Sequence, residues 1–200
     1  MSKMEFVNDT EYFQTQIPLS PSEKARSWLS DPNLVYLETR STGIGEFCEI
    51  IEIAICDNQG KPLLKSLVNT LLPVSENIIK NYGINRSELE SAPHWKTLLK
   101  EIQSLLKNRL VIVYNSRLDG RLIKQTCKAM TGRAPQWIDE VNFCCLMKLA
   151  EEQFESNNEY RVITLKQACF DANIEYTPSK NILKEIKTVK ALLEKLAEFD

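Results

Sequence analysis

Residues 34–56 read Leu34-Val-Tyr-Leu-Glu38-Thr-Arg40-Ser-Thr-Gly-Ile-Gly-Glu-Phe-Cys48-Glu-Ile-Ile-Glu52-Ile-Ala-Ile-Cys56. Both ends are rich in β-branched and aromatic residues, and a glycine-containing stretch separates them, so the segment predicts a strand, a turn and a second strand. Side chains alternate across a strand. Glu38 and Arg40 therefore share one face, with Leu37 and Thr39 on the other. Downstream, Asp57-Asn58-Gln59-Gly60 is a hairpin turn into a third strand over residues 63–70, which makes the three strands antiparallel neighbours. Upstream, Ser20-Pro21-Ser22-Glu23 carries an N-cap, a first-turn proline and a capping-box glutamate. A short helix is expected from there to about Leu29, and Asp31-Pro32 ends it.

From residue 75 the apolar period becomes helical. Short helices are predicted over Ser75–Tyr82, closed by Gly83, and over Ser87–Ser91. A longer one spans His94–Leu106, with Trp95, Leu98, Leu99, Ile102, Leu105 and Leu106 on one face. Arg109–Tyr114 is a buried strand. Helices follow over residues 118–130, 141–154, 165–172 and 182–199. This order indicates an α/β protein with a mixed sheet flanked by helices. Residues 1–30 are expected as an extension carrying the first helix, and residues 31–200 as the domain.

The 200 residues suit one domain, and a net charge of −2 gives no global attraction to nucleic acid, so any such binding rests on a local patch. No apolar run approaches the roughly 18 residues of a membrane span, and none near the N-terminus suits a signal peptide. No membrane association and a cytoplasmic location are the expectation. The six cysteines include no C-x-x-C pair and fall mostly in apolar stretches, as reduced buried thiols do. With one histidine, zinc is not expected.

Four segments carry a family resemblance. Residues 34–56 are similar to the first motif of the DnaQ-like 3′–5′ exonucleases, "L-D-T-E-T-T-G … I-I-E-I-A", with Glu38 in place of Asp and Arg40 in place of Glu. Residues 82–93 resemble "H-G-I-T-x-x-x-L-x-x-A-P", with Tyr82 at the His position. Residues 111–119 resemble "V-A-x-N-A-x-F-D" and keep the acid, Asp119. Residues 180–196 resemble the last motif, "H-R-A-L-x-D-A-x-x-T", with Lys180 at the general-base His and Glu185 at the last metal-binding Asp. A variant of the family uses a Tyr one position later, where this chain has Asn181. The resemblance implies an RNase H-like exonuclease fold with a mixed five-stranded sheet. It also places the family's catalytic set at Glu38, Arg40, Asp119, Lys180 and Glu185, of which only Asp119 is unchanged.

Two-metal phosphodiester hydrolysis needs several carboxylates around two divalent cations. Here Glu38, Asp119 and Glu185 face the positive charges of Arg40 and Lys180. At about 4 Å and an effective dielectric near 20, an arginine and a divalent cation repel by about 8 kcal/mol, and arginine does not deprotonate. The expectation is that Arg40 takes the metals' place and bridges Glu38 with Asp119 or Glu185. Glu52 is read as a framework residue and His94 as a surface or packing residue. Hydrolysis is then lost or strongly reduced and no cofactor is expected. The alternative is an active 3′–5′ exonuclease in which Glu38, Asp119 and Glu185 hold Mg²⁺ or Mn²⁺.

Arg117, Arg121, Lys124 and Lys128 form one helical stripe that begins beside Asp119. It is either a solvated face or a phosphate track. Asn115, and Tyr82 as a stacking ring, complete the candidate contacts to single-stranded nucleic-acid ends. A protein partner or a homodimer is the other expectation for binding.

Overall fold

The computed structural model describes residues 18–155 and 162–199. Residues 1–17 of the expected extension lie outside the described residues. The chain runs α1 (Pro21–Leu29), β1 (Val35–Ser41), β2 (Ile50–Asp57), β3 (Pro62–Leu67), α2 (Glu76–Tyr82), α3 (Arg86–Glu90), α4 (Trp95–Leu106), β4 (Leu110–Val113) and α5 (Ser116–Thr131). A 3₁₀ turn (Gln136–Glu140), β5 (Asn142–Cys145), α6 (Leu146–Gln153), α7 (Leu165–Asp171) and α8 (Ile182–Leu196) follow.

The sheet order is β3-β2-β1-β4-β5. β1, β2 and β3 pair antiparallel, whereas β4 runs parallel to β1 and β5 parallel to β4. This is the mixed five-stranded sheet that the motifs imply. Parallel neighbours need a crossover. The β3-to-β4 connection supplies α2, α3 and α4, and the β4-to-β5 connection supplies α5.

Alternation along the strands divides the core. Tyr36, Ala54, Cys56 and Ile112 face α1, α6 and α8. Val35, Leu37, Ile53, Ile55, Val111 and Val113 face α4 and α5. A small third cluster of Ile51, Val74, Ile79 and Leu89 seats α2 and α3. The capping box at α1 forms as read: Glu23 N donates to Ser20 Oγ at 3.2 Å and Ser20 N to Glu23 Oε2 at 2.7 Å. α1 packs against α6 and α8 through the buried Ala25.

One element differs from the expectation. The segment read as a helix over residues 141–154 is a four-residue strand followed by a helix. Asn142–Cys145 pair in register with Leu110–Val113. The ladder overrides the local pattern, because a four-residue edge strand that is half exposed gives too short an alternation to separate from the helix it feeds.

α8 holds the last functional motif and is anchored by Ile182, Ile186, Val189, Leu192, Leu193 and Leu196, all buried. Truncating one such side chain removes transfer energy and leaves a cavity. Leu193→Ala is expected to lower unfolding free energy by about 2–5 kcal/mol in urea titration.

Candidate functional site

The site is built at the end of β1 where the two halves of the core meet. In the β1–β2 ladder Arg40 lies directly opposite Glu52, and Glu38 opposite Ala54. Directly paired residues project to the same face. Glu38, Arg40 and Glu52 therefore share the α8 side of the sheet, and α8 brings Glu185 to them in its first turn.

Arg40 is 2% exposed and is held on several sides. Its Nη1 donates to Glu52 Oε2 at 3.0 Å and to the Lys180 carbonyl at 2.7 Å. Its Nη2 donates to Glu185 Oε1 at 2.8 Å and to the Ser179 carbonyl at 3.0 Å. The Tyr82 ring covers the guanidinium at 4.9 Å from its centroid, a cation–π contact. Only Nε is left buried without a partner. One side chain thus ties β1 to β2, to the end of α2, to the segment before α8 and to α8 itself.

The partners correct the expected bridge. Arg40 does pair with Glu185, but its second carboxylate is Glu52, not Glu38 or Asp119. Glu52 is no mere framework residue: it is 5% exposed, and Lys65 lies 3.9 Å from it on the far side. Burial raises the Glu52 pKa, while Arg40 and then Lys65 oppose that rise. The sequence held the signal for this pair. Residues 40 and 52 face each other once the β1–β2 register is known, but the eight-residue loop between the strands leaves that register open.

Asp119 arrives from the other half of the core. Asn115 caps α5, its side chain accepting from Leu118 N at 3.2 Å, and thereby points the first turn of the helix at β1. Asp119 is buried, and its Oδ1 accepts a hydrogen bond from Thr39 Oγ1 at 2.6 Å. Burial pushes its pKa up to about 7, against the Thr39 bond. Glu38 is half-buried. Its pKa is raised well above the carboxylate range, first by burial, then by the negative charges of Asp119 and Glu185, with Arg40 opposing. Among the described residues, no three His, Cys, Asp or Glu side chains are grouped so as to hold a metal ion.

Lys180 contributes its backbone, not its amine, to this site. Its carbonyl accepts from Arg40, while its side chain lies against Gly83. A Cβ on Gly83 would come within 2.7 Å of Lys180 Cδ. Gly83 closes α2 in the left-handed region at φ 66°. The absent side chain therefore serves both the turn and the approach of Lys180. The Lys180 side chain lines a cavity of about 370 Å³ bordered by Lys65, Glu52 and Glu88.

The basic stripe is only partly available. At about 100° per residue, Arg117, Arg121, Lys124 and Lys128 sit about 140–200° round α5 from Asp119. Arg121 donates to the Ile44 carbonyl at 2.8 Å and Lys124 pairs with Asp139. Arg117 and Lys128 are exposed. Arg121 and Gln125, which donates to the Gly45 carbonyl at 2.9 Å, fix the β1–β2 loop, from which Ile44 (75% exposed) and Phe47 (84% exposed) project. Sequence reading missed these two residues. Their apolar character inside a glycine-flanked loop was the available signal. Tyr82, expected as a free stacking ring, is engaged on one face by Arg40. His94 is exposed, with Nδ1 3.2 Å from the Asn69 carbonyl. Among the described residues no helix is long and apolar enough to cross a membrane.

Comparison with known proteins places this architecture. The RNase_T family, described as "Exonuclease", matches residues 37–179. A curated relative, the uncharacterized exonuclease CP81 of Escherichia phage 186, is 31% identical over 137 residues, which is 67% of this chain and 70% of that protein. Among solved structures, the cell-death related nuclease 4 (CRN-4) superposes with a TM-score of 0.63 at 14% identity, over 80% of this chain and 62% of its own. The 3′-exonuclease that recognises the 3′ end of the histone mRNA stem-loop gives 0.63 at 14%, over 82% and 63%. E. coli exonuclease I bound to a 5cy-dT13 oligonucleotide gives 0.60 at 12%, over 80% and 39%. The chain spans less than two thirds of each of these solved chains, and at such identities the likeness is one of fold. Motif order, sheet topology and the family match over residues 37–179 agree, and the chain belongs to the exonuclease family, in its DnaQ-like branch.

Proposed function

We propose that this protein is an exonuclease-fold binder of single-stranded nucleic-acid ends in which two-metal hydrolysis is lost or strongly reduced. The observation that carries this reading is the Arg40 guanidinium, buried between Glu52 and Glu185. Metal-dependent cleavage by this fold asks the position-40 side chain to be an anion, and here it is a fixed cation whose charge is matched by two carboxylates. The remaining pair, Glu38 and Asp119, does not make up the donor set. One Asp119 oxygen is taken by Thr39 and both acids are biased toward the protonated form. Lys180, at the general-base position, packs on Gly83. The donor set does not fit a two-cation centre, and no step is assigned to a metal.

Binding is supported by side chains exposed on the β1–β2 loop and on α5. Ile44 and Phe47 offer apolar faces for bases, and Arg117 and Lys128, on the face of α5 turned away from Asp119, offer charge for phosphates.

Three results are expected. With a 3′-labelled oligonucleotide and Mg²⁺ or Mn²⁺, no mononucleotide is released, although the oligonucleotide is retained in fluorescence anisotropy. Release that disappears in Asp119→Ala would overturn the proposal. Removing the guanidinium leaves Glu52 buried without its counter-charge, so Arg40→Met should lose about 3–5 kcal/mol of unfolding free energy. Arg40→Glu is expected to melt lower still in EDTA and to be raised by Mn²⁺, which leaves the unmodified protein's melting unchanged.

The remaining result, beside those for cleavage and for the Arg40 variants, concerns pH. Asp119 has a folded pKa of about 7 against an ordinary 3.8. Between those values the native state holds more proton than the unfolded chain. Its contribution to stability is thus complete at low pH and lost as pH rises toward 7. Glu38 acts with the same sign. Denaturant titrations of Asp119→Asn across pH 4 to 8, compared with the unmodified protein, should show a shallower decline with pH. An unchanged slope would contradict the burial of that carboxyl.

A further inference from the structure

A second feature lies away from the cleft and is independent of what the cleft does. Between α4 and the segment that joins α5 to the 3₁₀ turn runs a groove of about 880 Å³. Its apolar wall is formed by Leu99, Pro135 and Trp137, and its rim carries Lys96, Lys100 and Arg133. All three cations are exposed. None is paired with a carboxylate among the described residues, and no Asp or Glu lines the groove. Of the two acids of the 3₁₀ turn, Glu140 lines an adjoining hollow that also includes Trp137, and Asp139 pairs with Lys124.

The three cations make a local positive surface on a chain whose net charge is −2. Lys96 and Lys100 stand one turn apart on the same face of α4, a repulsive spacing that weakens a helix. Arg133 adds a third like charge across the groove. Surface pairs such as Lys24–Glu152 and Lys124–Asp139 form elsewhere on the molecule, whereas the lining of this groove offers its three cations no carboxylate.

We propose that this groove docks an acidic, apolar peptide segment of a protein partner. An aliphatic or aromatic side chain of the partner would lie on Leu99, Pro135 and Trp137. Its flanking carboxylates would meet Lys96, Lys100 and Arg133. Gln103 and Gln136, also on the groove, present side-chain amides that suit an extended peptide backbone. Charge complementarity fixes the class of occupant: an acidic ligand is what three uncompensated cations lack, and an apolar one is what the Trp137 wall needs. A nucleic-acid strand is the poorer fit. Its phosphates would follow a track of cations, whereas these three ring one apolar hollow. The groove also opens beside Cys127, eight residues and about 12 Å along α5 from Asp119, so it does not continue the cleft.

The test uses the full chain and a fluorescein-labelled hexapeptide, Glu-Asp-Leu-Phe-Asp-Glu, in fluorescence anisotropy at low salt. Saturable binding is expected, weakened about tenfold or more in the double variant Lys96→Glu with Lys100→Glu. It should be unchanged in Asp119→Ala. All these positions but Asp119 are exposed, and equal melting temperatures by circular dichroism would show that the double variant folds. In ¹⁵N spectra the peptide should shift the Trp137 indole signal and leave Tyr82 in place. The proposal is overturned if the hexapeptide does not bind, if the double variant binds it equally well, or if a labelled oligonucleotide, not the peptide, loses its binding in that variant. Since the cleavage and end-binding measurements use Asp119 and the cleft, either proposal can fail alone.

Discussion

A guanidinium taken almost wholly out of water is the constraint around which this molecule is arranged. Desolvating such a group is costly unless its charge and its donors are met. Arg40 meets its charge with two carboxylates and its Nη donors with those acids and backbone carbonyls, beneath an aromatic face, and leaves only Nε without a partner. Those partners come from strands, helices and a loop far apart in the chain. One side chain therefore holds the end of α2 and the segment before α8 against the end of β1, while Gly83 closes α2 and Asn181 caps α8. Here a covalently attached positive charge joins acids from β2 and α8.

The fold was largely legible in the sequence, because the information lay in patterns that burial enforces. The alternation along 34–56, the Gly60 turn and the apolar stripe of α4 each report a face turned to the core, and each formed as read. What escaped was short or relational. Asn142–Cys145 carry too few residues to show an alternation, and only the ladder with β4 makes them a strand. The same holds within the site. That Arg40 needs a counter-ion followed from its charge and setting, but the choice of Glu52 over Glu38 follows from register, which no local pattern encodes. Lys180 shows the converse. Its position matched the family's base, yet the direction of its side chain depends on a glycine almost a hundred residues earlier.

The two halves of the core meet the site from opposite faces of the sheet. Thr39 and Arg40 are neighbours in the chain but point apart, one holding Asp119 on the α5 side and the other Glu52 and Glu185 on the α8 side. The end of β1 is thus anchored on both faces. The β1–β2 loop begins there, and Arg121 and Gln125 bond its backbone beside the apolar side chains it displays.

The packing of Lys180 on Gly83 is coupled to Arg40 through the backbone. The carbonyls of Ser179 and Lys180 accept from the guanidinium, while the Lys180 side chain lies against the left-handed glycine that closes α2. A substitution at position 40 would free those carbonyls, and a side chain at position 83 would displace Lys180. Residues 40, 83 and 180 therefore form one mechanical unit, in which a change at any of them is transmitted to the other two.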